Sequence, residues 1–179
     1  MKAIFLFLGL FFWAFIPPAH LAAQHHHRSS ASQNSSSASD PSENLVSFAA
    51  SQSNFSTLVA ALRAADLVST LQNGGPFTVF APTDAAFAAL PLGTLEELLR
   101  PENKAQLIKI LTYHVVPGRI EASDLRNGQA LTTVEGRVLK VQLNGKSVGL
   151  NQALVTRANL RTGNGVIHVI DRVLLPADR

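Results

Sequence analysis

Six histidines and no cysteine set the range of chemistry open to this 179-residue chain. Without cysteine there is no thiol nucleophile, no thiolate metal site and no disulfide. His114 and His168 each sit inside a strongly apolar run. A histidine so placed serves either as a hydrogen-bonded core residue or as a ligand. A zinc site would need Asp84 or Asp171 to complete its ligand set, and nothing in the spacing requires that. Thr83 has no His or Lys close in sequence to act as its base. Glu96 and Glu97 are neighbours on a helical pattern, so they point in different directions and read as a solvated face. Asn73-Gly74-Gly75-Pro76 has glycines but lacks the Lys and Ser/Thr of a phosphate loop. After Phe87 the only aromatic is Tyr113, which argues against a stacking platform for nucleic acid. His25-His26-His27, with His20 upstream, could hold a divalent cation loosely, but adjacent residues do not fix ligand geometry. The chain therefore reads as non-enzymatic, with no cofactor and no metal site.

The elements that must position these residues are legible in the hydrophobic pattern. Gly75 to Phe87 reads as strand, corner and helix: Phe77, Val79 and Ala81 alternate with Thr78 and Phe80, and Pro82 stops the ladder. Thr83 is placed to cap the following helix, with Asp84 in its first turn. Upstream, Asn44 is a cap for a short helix. Phe55, Leu58, Val59 and Leu62 then define the buried face of a second, with Ser53 or Asn54 as its cap. Thr94 and Glu97 fit a capping box, and Leu107, Ile110 and Leu111 line one side of a later helix that leads into a Tyr113-to-Val116 strand. Beyond Gly118 the period changes to two. Leu139, Val141 and Leu143 form a half-buried strand, Asn144-Gly145 is a hairpin turn, and Val166 to Ile170 is apolar on both faces apart from His168, as a central strand is. Helices gather early and strands late, which predicts an α+β fold.

Three of these stretches resemble the signature segments of the fasciclin domain, in the family's order. They are Gly75–Pro91 (GPFTVFAPTDAAFAALP), Leu111–Gly118 (LTYHVVPG) and Asn164–Pro176 (NGVIHVIDRVLLP). The resemblance covers roughly Asn44 to Pro176. It implies a compact wedge of about seven strands in two sheets flanked by several short helices. It also implies a role in adhesion between cells or between cell and matrix, with the Tyr113-His114 segment as the part implicated in receptor binding. Thr83, Asp84, His114 and His168 fall in the matched motifs as structural residues. A hydrogen bond between Asp84 and His114, locking the corner to the Tyr-His segment, is the expected structural link. A single domain behind a short leader resembles the bacterial secreted members.

Met1 to Ala23 has a positive start and an apolar run from Ala3 to Ile16, shorter than a bilayer span, so it reads as a signal peptide, either cleaved or kept as an anchor. Residues 24–43 are Ser-rich and read as a disordered linker, 44–176 as the folded domain and 177–179 as a tail. Asn34 and Asn54 each begin a glycosylation pattern. The net charge is +3. From Arg119 to Arg179 there are nine Lys or Arg against five Asp or Glu; from Leu45 to Gly118 the counts are four and five. Arg119, Arg126, Arg137, Lys140, Lys146, Arg157 and Arg161 thus form a candidate basic face for an acidic glycan or envelope polymer. The expectation is a secreted, extracellular or periplasmic, non-enzymatic interaction module whose partner is an extracellular protein or polysaccharide and not nucleic acid. The alternative is a small-ligand or metal-binding extracytoplasmic protein.

Overall fold

The computed structural model describes residues 43–176. The expected signal peptide over 1–23, the linker up to Asp40-Pro41-Ser42, the histidines at 20 and 25–27 and the tail 177–179 lie outside the described residues. Glu43 belongs to the domain, since its carbonyl accepts the Gly163 N–H at 2.8 Å.

Short helices come first. In α1 (Leu45–Ser51) the Asn44 side chain accepts from the Ser47 N–H, the expected cap. A 3₁₀ turn (Ser53–Phe55) leads into α2 (Ser56–Ala64), which buries Leu58, Val59, Ala61 and Leu62. Then follow α3 (Val68–Asn73), β1 (Phe77–Pro82), α4 (Asp84–Ala88) and α5 (Thr94–Leu98). A 3₁₀ turn with Pro101 at its start feeds α6 (Lys104–Tyr113), and β2 is Val115–Pro117. Five strands complete the chain: β3 (Ala130–Thr132), β4 (Val138–Asn144), β5 (Ser147–Leu150), β6 (Ala153–Thr162) and β7 (Gly165–Ile170).

The α+β class agrees with the sequence pattern, and the seven strands agree with the family resemblance, joined here in one continuous run. The strands run in the order β2-β1-β7-β6-β5-β4-β3, and all pairs are antiparallel except β1 with β7. β6 passes the ladder from one layer to the next. Ala153 and Leu154 pair with β5, residues 155–162 pair with β7, and two register shifts between Val155 and Leu160 bend the strand. The two ends of the run then meet, where the Val134 N–H donates to the Val115 carbonyl at 2.8 Å.

This curl makes two cores on the two faces of β1 and β7. Ala81, Ile167 and Val169 turn toward the helices and pack with Phe48, Phe55, Leu62, Leu107 and Leu111. Phe80 and Ile170 turn the other way and pack with Leu131, Leu139, Val141 and Leu150. All six residues of β7 are buried, as its two-faced apolar pattern predicts. Each fully buried Phe80, Ile167 or Ile170 contributes about 1.5–3 kcal/mol relative to exposure.

Three local expectations are corrected. Tyr113 ends α6 and His114 is its C-cap, so the strand starts only at Val115. Thr94 does not cap α5: the cap is Gly93 in a left-handed conformation (φ 84°), with no side-chain bond. Neither Ser53 nor Asn54 caps α2, which has no local side-chain cap.

The hairpin between β6 and β7 joins helices to sheet. Asn164 Oδ1 accepts from the Leu45 N–H at 2.9 Å, and its Nδ2 donates to the carbonyls of Leu71 at 2.6 Å, Gln72 at 3.3 Å and Gly74 at 3.2 Å. Its own carbonyl accepts the Phe77 N–H at 3.1 Å. One residue thereby holds the start of α1 and the end of α3 with its side chain and the entry to β1 with its carbonyl. Beside it, Gly165 lies so close to β1 that a Cβ there would stand 2.1 Å from the Phe77 carbonyl oxygen, so only glycine fits.

Asn164→Ala removes the acceptor for Leu45 and the donor for three carbonyls. It is expected to lower the unfolding free energy by about 2–4 kcal/mol. Denaturant titration checks this, and a loss under about 0.5 kcal/mol, ordinary for a surface change, would remove Asn164 from its structural role.

Candidate functional site

The polar residues of the three motifs converge on the main chain. Thr83 caps α4 as expected, accepting the Ala86 N–H at 3.3 Å. Asp84 does not reach His114. Its carboxylate accepts the Ser56 hydroxyl at 2.7 Å and the Thr57 N–H at 2.8 Å, so it caps α2 from across the corner. Burial alone would raise the Asp84 pKa, but these bonds outweigh it and hold the carboxyl below its ordinary value.

His114 is buried where α6 ends. Its Nδ1 lies 2.7 Å from the Ile110 carbonyl oxygen, and its Nε2 lies 2.9 Å from the Leu174 nitrogen. A carbonyl can only accept and a peptide N–H can only donate, so Nδ1 carries the proton and Nε2 is the acceptor. The ring is therefore neutral and both nitrogens are used. Burial pushes its pKa down to about 4, against a smaller upward pull from the Ile110 carbonyl.

His168, on β7, is equally committed. Its Nε2–H donates to the Ile120 carbonyl at 2.9 Å, and its Nδ1 accepts the Asn159 N–H at 3.4 Å. The ring stacks on Phe80, its partner in the ladder, with centroids 5.5 Å apart. Burial lowers its pKa too, with the Ile120 carbonyl and Glu121 pulling the other way. Thr78, fully buried on β1, holds the same loop: its hydroxyl donates to the Gly118 carbonyl at 2.7 Å and accepts the Ile120 N–H at 2.8 Å. Thr78 and His168 together fasten residues 118–120 over the end of the core. The sequence signal for Thr78 was a lone hydroxyl in an apolar strand.

Tyr113 is 4% exposed and His114 2% exposed. The Tyr113 hydroxyl donates to the Val138 carbonyl at 3.2 Å and accepts from Asn151 Nδ2 at 2.9 Å. Asn151 sits in the left-handed region (φ 51°), and its Oδ1 accepts the Lys140 N–H. Tyr113, in the second motif, is thus a clamp from α6 onto β4, and Asn151 is a member that sequence reasoning missed.

Surface relief lies beside this clamp. A cleft of about 580 Å³ is lined by Tyr113, Val138, Lys140, Asn151, Gln152 and residues 173–176. Val138 and Leu175 on its rim are 44% and 49% exposed. A second cleft of about 530 Å³ lies between α6, Glu135, Arg137 and Leu175-Pro176. Both volumes fall within the range of small-ligand sites. The basic residues singled out in the sequence are differently employed. Arg119 donates to the Thr162 and Gly163 carbonyls, Arg161 pairs with Glu121 at 2.8 Å, and Arg137 stands 3.6 Å from Glu135. Among the described residues, Arg126, Lys140, Lys146 and Arg157 make no side-chain ion pair, and no group of His, Asp and Glu could hold a metal ion.

Residues 53–176 match the sequence model described as the fasciclin domain. Protein sll1483 of Synechocystis sp. is 53% identical over 139 residues, which is 78% of this chain and 77% of that protein. The transforming growth factor-beta-induced protein ig-h3 of Sus scrofa is 40% identical over 122 residues, covering 68% of this chain and 18% of that longer protein. Among solved structures, a FAS1 domain pair from the insect cell adhesion molecule fasciclin I superposes with a TM-score of 0.68 at 21% identity, covering 76% of this chain and 52% of that one.

The two buried imidazoles give the fold a definite pH dependence. Below its ordinary pKa of 6.5 an unfolded His114 takes up a proton that the folded chain refuses until about 4. Stability is therefore independent of this group above 6.5 and falls as the pH is lowered toward 4, by about 3 kcal/mol in all. His168 acts in the same direction. Melting temperatures across that window should drop steadily, and His114→Phe should be less stable at neutral pH but fall less steeply. An unchanged slope in that variant would assign the acid loss to other groups.

Proposed function

This chain belongs to the fasciclin domain family, and on that premise we propose that it is an exported, non-catalytic recognition module that adheres to an acidic extracellular partner, a polysaccharide or protein of the cell surface or matrix. The observation that carries the reading is the saturation of the motif residues. Both nitrogens of His114 and of His168, the Thr78 hydroxyl and the Tyr113 hydroxyl are committed to the main chain or to Asn151. Such groups hold a shape and leave recognition to the surface outside them. The insect protein with the same fold is a cell adhesion molecule, which supports the same role.

In this reading the surface is the cleft over the Tyr113–Asn151 clamp. Tyr113 shapes its floor, and Lys140 supplies positive charge to a cleft that is also lined by the exposed apolar side chains of Val138 and Leu175. Arg126, Lys146 and Arg157 extend the basic character of the strand half, and Arg119, Arg137 and Arg161 add charge tied to local partners. The signal peptide over 1–23 and the Ser-rich linker over 24–43 would deliver the domain outside the cytoplasm and give it reach. Among the described residues no single helix is long and apolar enough to cross a membrane.

The test is retention of the full chain on an acidic polysaccharide or matrix protein at rising ionic strength. Binding should weaken with salt, since exposed charges are screened within about 10 Å at 0.1 M. Lys140→Glu should weaken it about tenfold while the fold persists. Tyr113→Phe, which keeps the ring but frees Asn151, should also reduce binding. Salt-insensitive binding, or full binding by both variants, would refute the assignment.

A further inference from the structure

Asn-Gly steps are the sites at which a peptide chain can rearrange without an enzyme. The Gly nitrogen attacks the Asn side-chain carbonyl carbon, and glycine offers no side chain to obstruct it. This chain has four such steps, at Asn73-Gly74, Asn127-Gly128, Asn144-Gly145 and Asn164-Gly165. The structure treats them unequally.

At three of them the reacting groups are held. The Gly74 N–H donates to the Thr70 carbonyl at 3.0 Å. The Gly128 N–H donates to the Val141 carbonyl at 2.8 Å, and Asn127 Oδ1 accepts the Leu143 N–H at 3.0 Å. At Asn164 the side-chain amide has one donor and three acceptors around it, and Gly165 is buried. An amide fixed by four bonds cannot turn its carbonyl carbon toward the next nitrogen.

Asn144-Gly145 differs on every count. Asn144 is the last residue of β4 and pairs with Ser147, so Gly145 and Lys146 form the two-residue turn, with Gly145 at φ 62°. Residues 144–147 are all exposed. Among the described residues, neither the Asn144 side-chain amide nor the Gly145 N–H is engaged in a hydrogen bond.

We propose that Asn144 is a site of spontaneous deamidation in the folded protein, and that the other three Asn-Gly steps are protected by the fold. The Gly145 nitrogen forms a bond to Asn144 Cγ, the Cγ–Nδ2 bond breaks, and ammonia leaves with the proton given up by that nitrogen. Water then opens the succinimide ring at either carbonyl, giving aspartate or isoaspartate, with no change of oxidation state. The product places a carboxylate next to Lys146 at the tip of the basic strand half. In the isoaspartyl form it also adds a methylene to the main chain inside the Asn144–Ser147 pair. The modification thus reduces positive charge on a turn that carries no part of either core.

The test is incubation of the intact folded protein in mildly alkaline buffer, with peptide mapping by mass spectrometry and charge-resolved chromatography. Conversion at Asn144 should exceed that at Asn73, Asn127 and Asn164 by at least about tenfold, corresponding to about 1.4 kcal/mol of local opening at the protected sites. In urea the four rates should converge. The early acidic form should be missing from Asn144→Gln. Conversion at any other step as fast as at Asn144 would overturn the proposal. So would an Asn144 that stays intact while the unfolded chain reacts, or an early acidic form that persists in Asn144→Gln.

Discussion

The arrangement depends on one amide. Asn164 stands in the turn between β6 and β7, yet its side chain is spent on the helical layer, holding the first N–H of α1 and the last carbonyls of α3. Those groups are the orphan donors and acceptors that every helix leaves at its ends. Short helices have proportionally more of them, and six helices of five to ten residues cannot be stable by propensity alone. They are stabilised twice: the sheet covers their apolar faces with Ile167 and Val169, and Asn164 in the β6–β7 turn and Asp84 at the start of α4 satisfy their ends.

The same economy explains the histidines. Thr78, His114 and His168 are buried polar groups, which destabilise a core unless bonded. Each is bonded to backbone of a segment with no regular structure of its own: residues 118–120 for Thr78 and His168, and Leu174 for His114. Irregular chain that cannot satisfy its own peptide groups is thereby fixed against the strands. The side chains that look most chemical in the sequence are stitches, with both imidazoles and the hydroxyl spent on the backbone.

How much of this was legible in the sequence follows from distance along the chain. Asn44 capping α1, the buried face of α2, the β4–β5 hairpin and the two-faced β7 were readable because cause and effect lie within a few residues, although the turn is Gly145-Lys146, one residue on from the expected Asn144-Gly145. The cap of α2 was not: its donors meet a carboxylate 27 and 28 residues away, and the nearby Ser53 and Asn54 were misleading. Asn164 reads locally as a turn residue, although its partners lie 90 to 119 positions upstream. His114 was expected to pair with Asp84 because both lie in family motifs, but shared motif membership says nothing of reach. The Tyr113–Asn151 clamp was hidden because Asn151 owes its place to a left-handed backbone set by the β5–β6 connection.

The parallel pairing of β1 with β7 has a bearing on how the domain is made. β7 is the seventh strand in sequence and lies between β1 and β6 in space, so β1 waits for it with one edge unpaired. Contacts of such long range are slow to form, because the intervening loop must close before any of them stabilises the chain. During synthesis, the half that emerges first stays without the strand that completes its layer. A domain wired in this way delays commitment to its native state until Gly165–Ile170 has arrived.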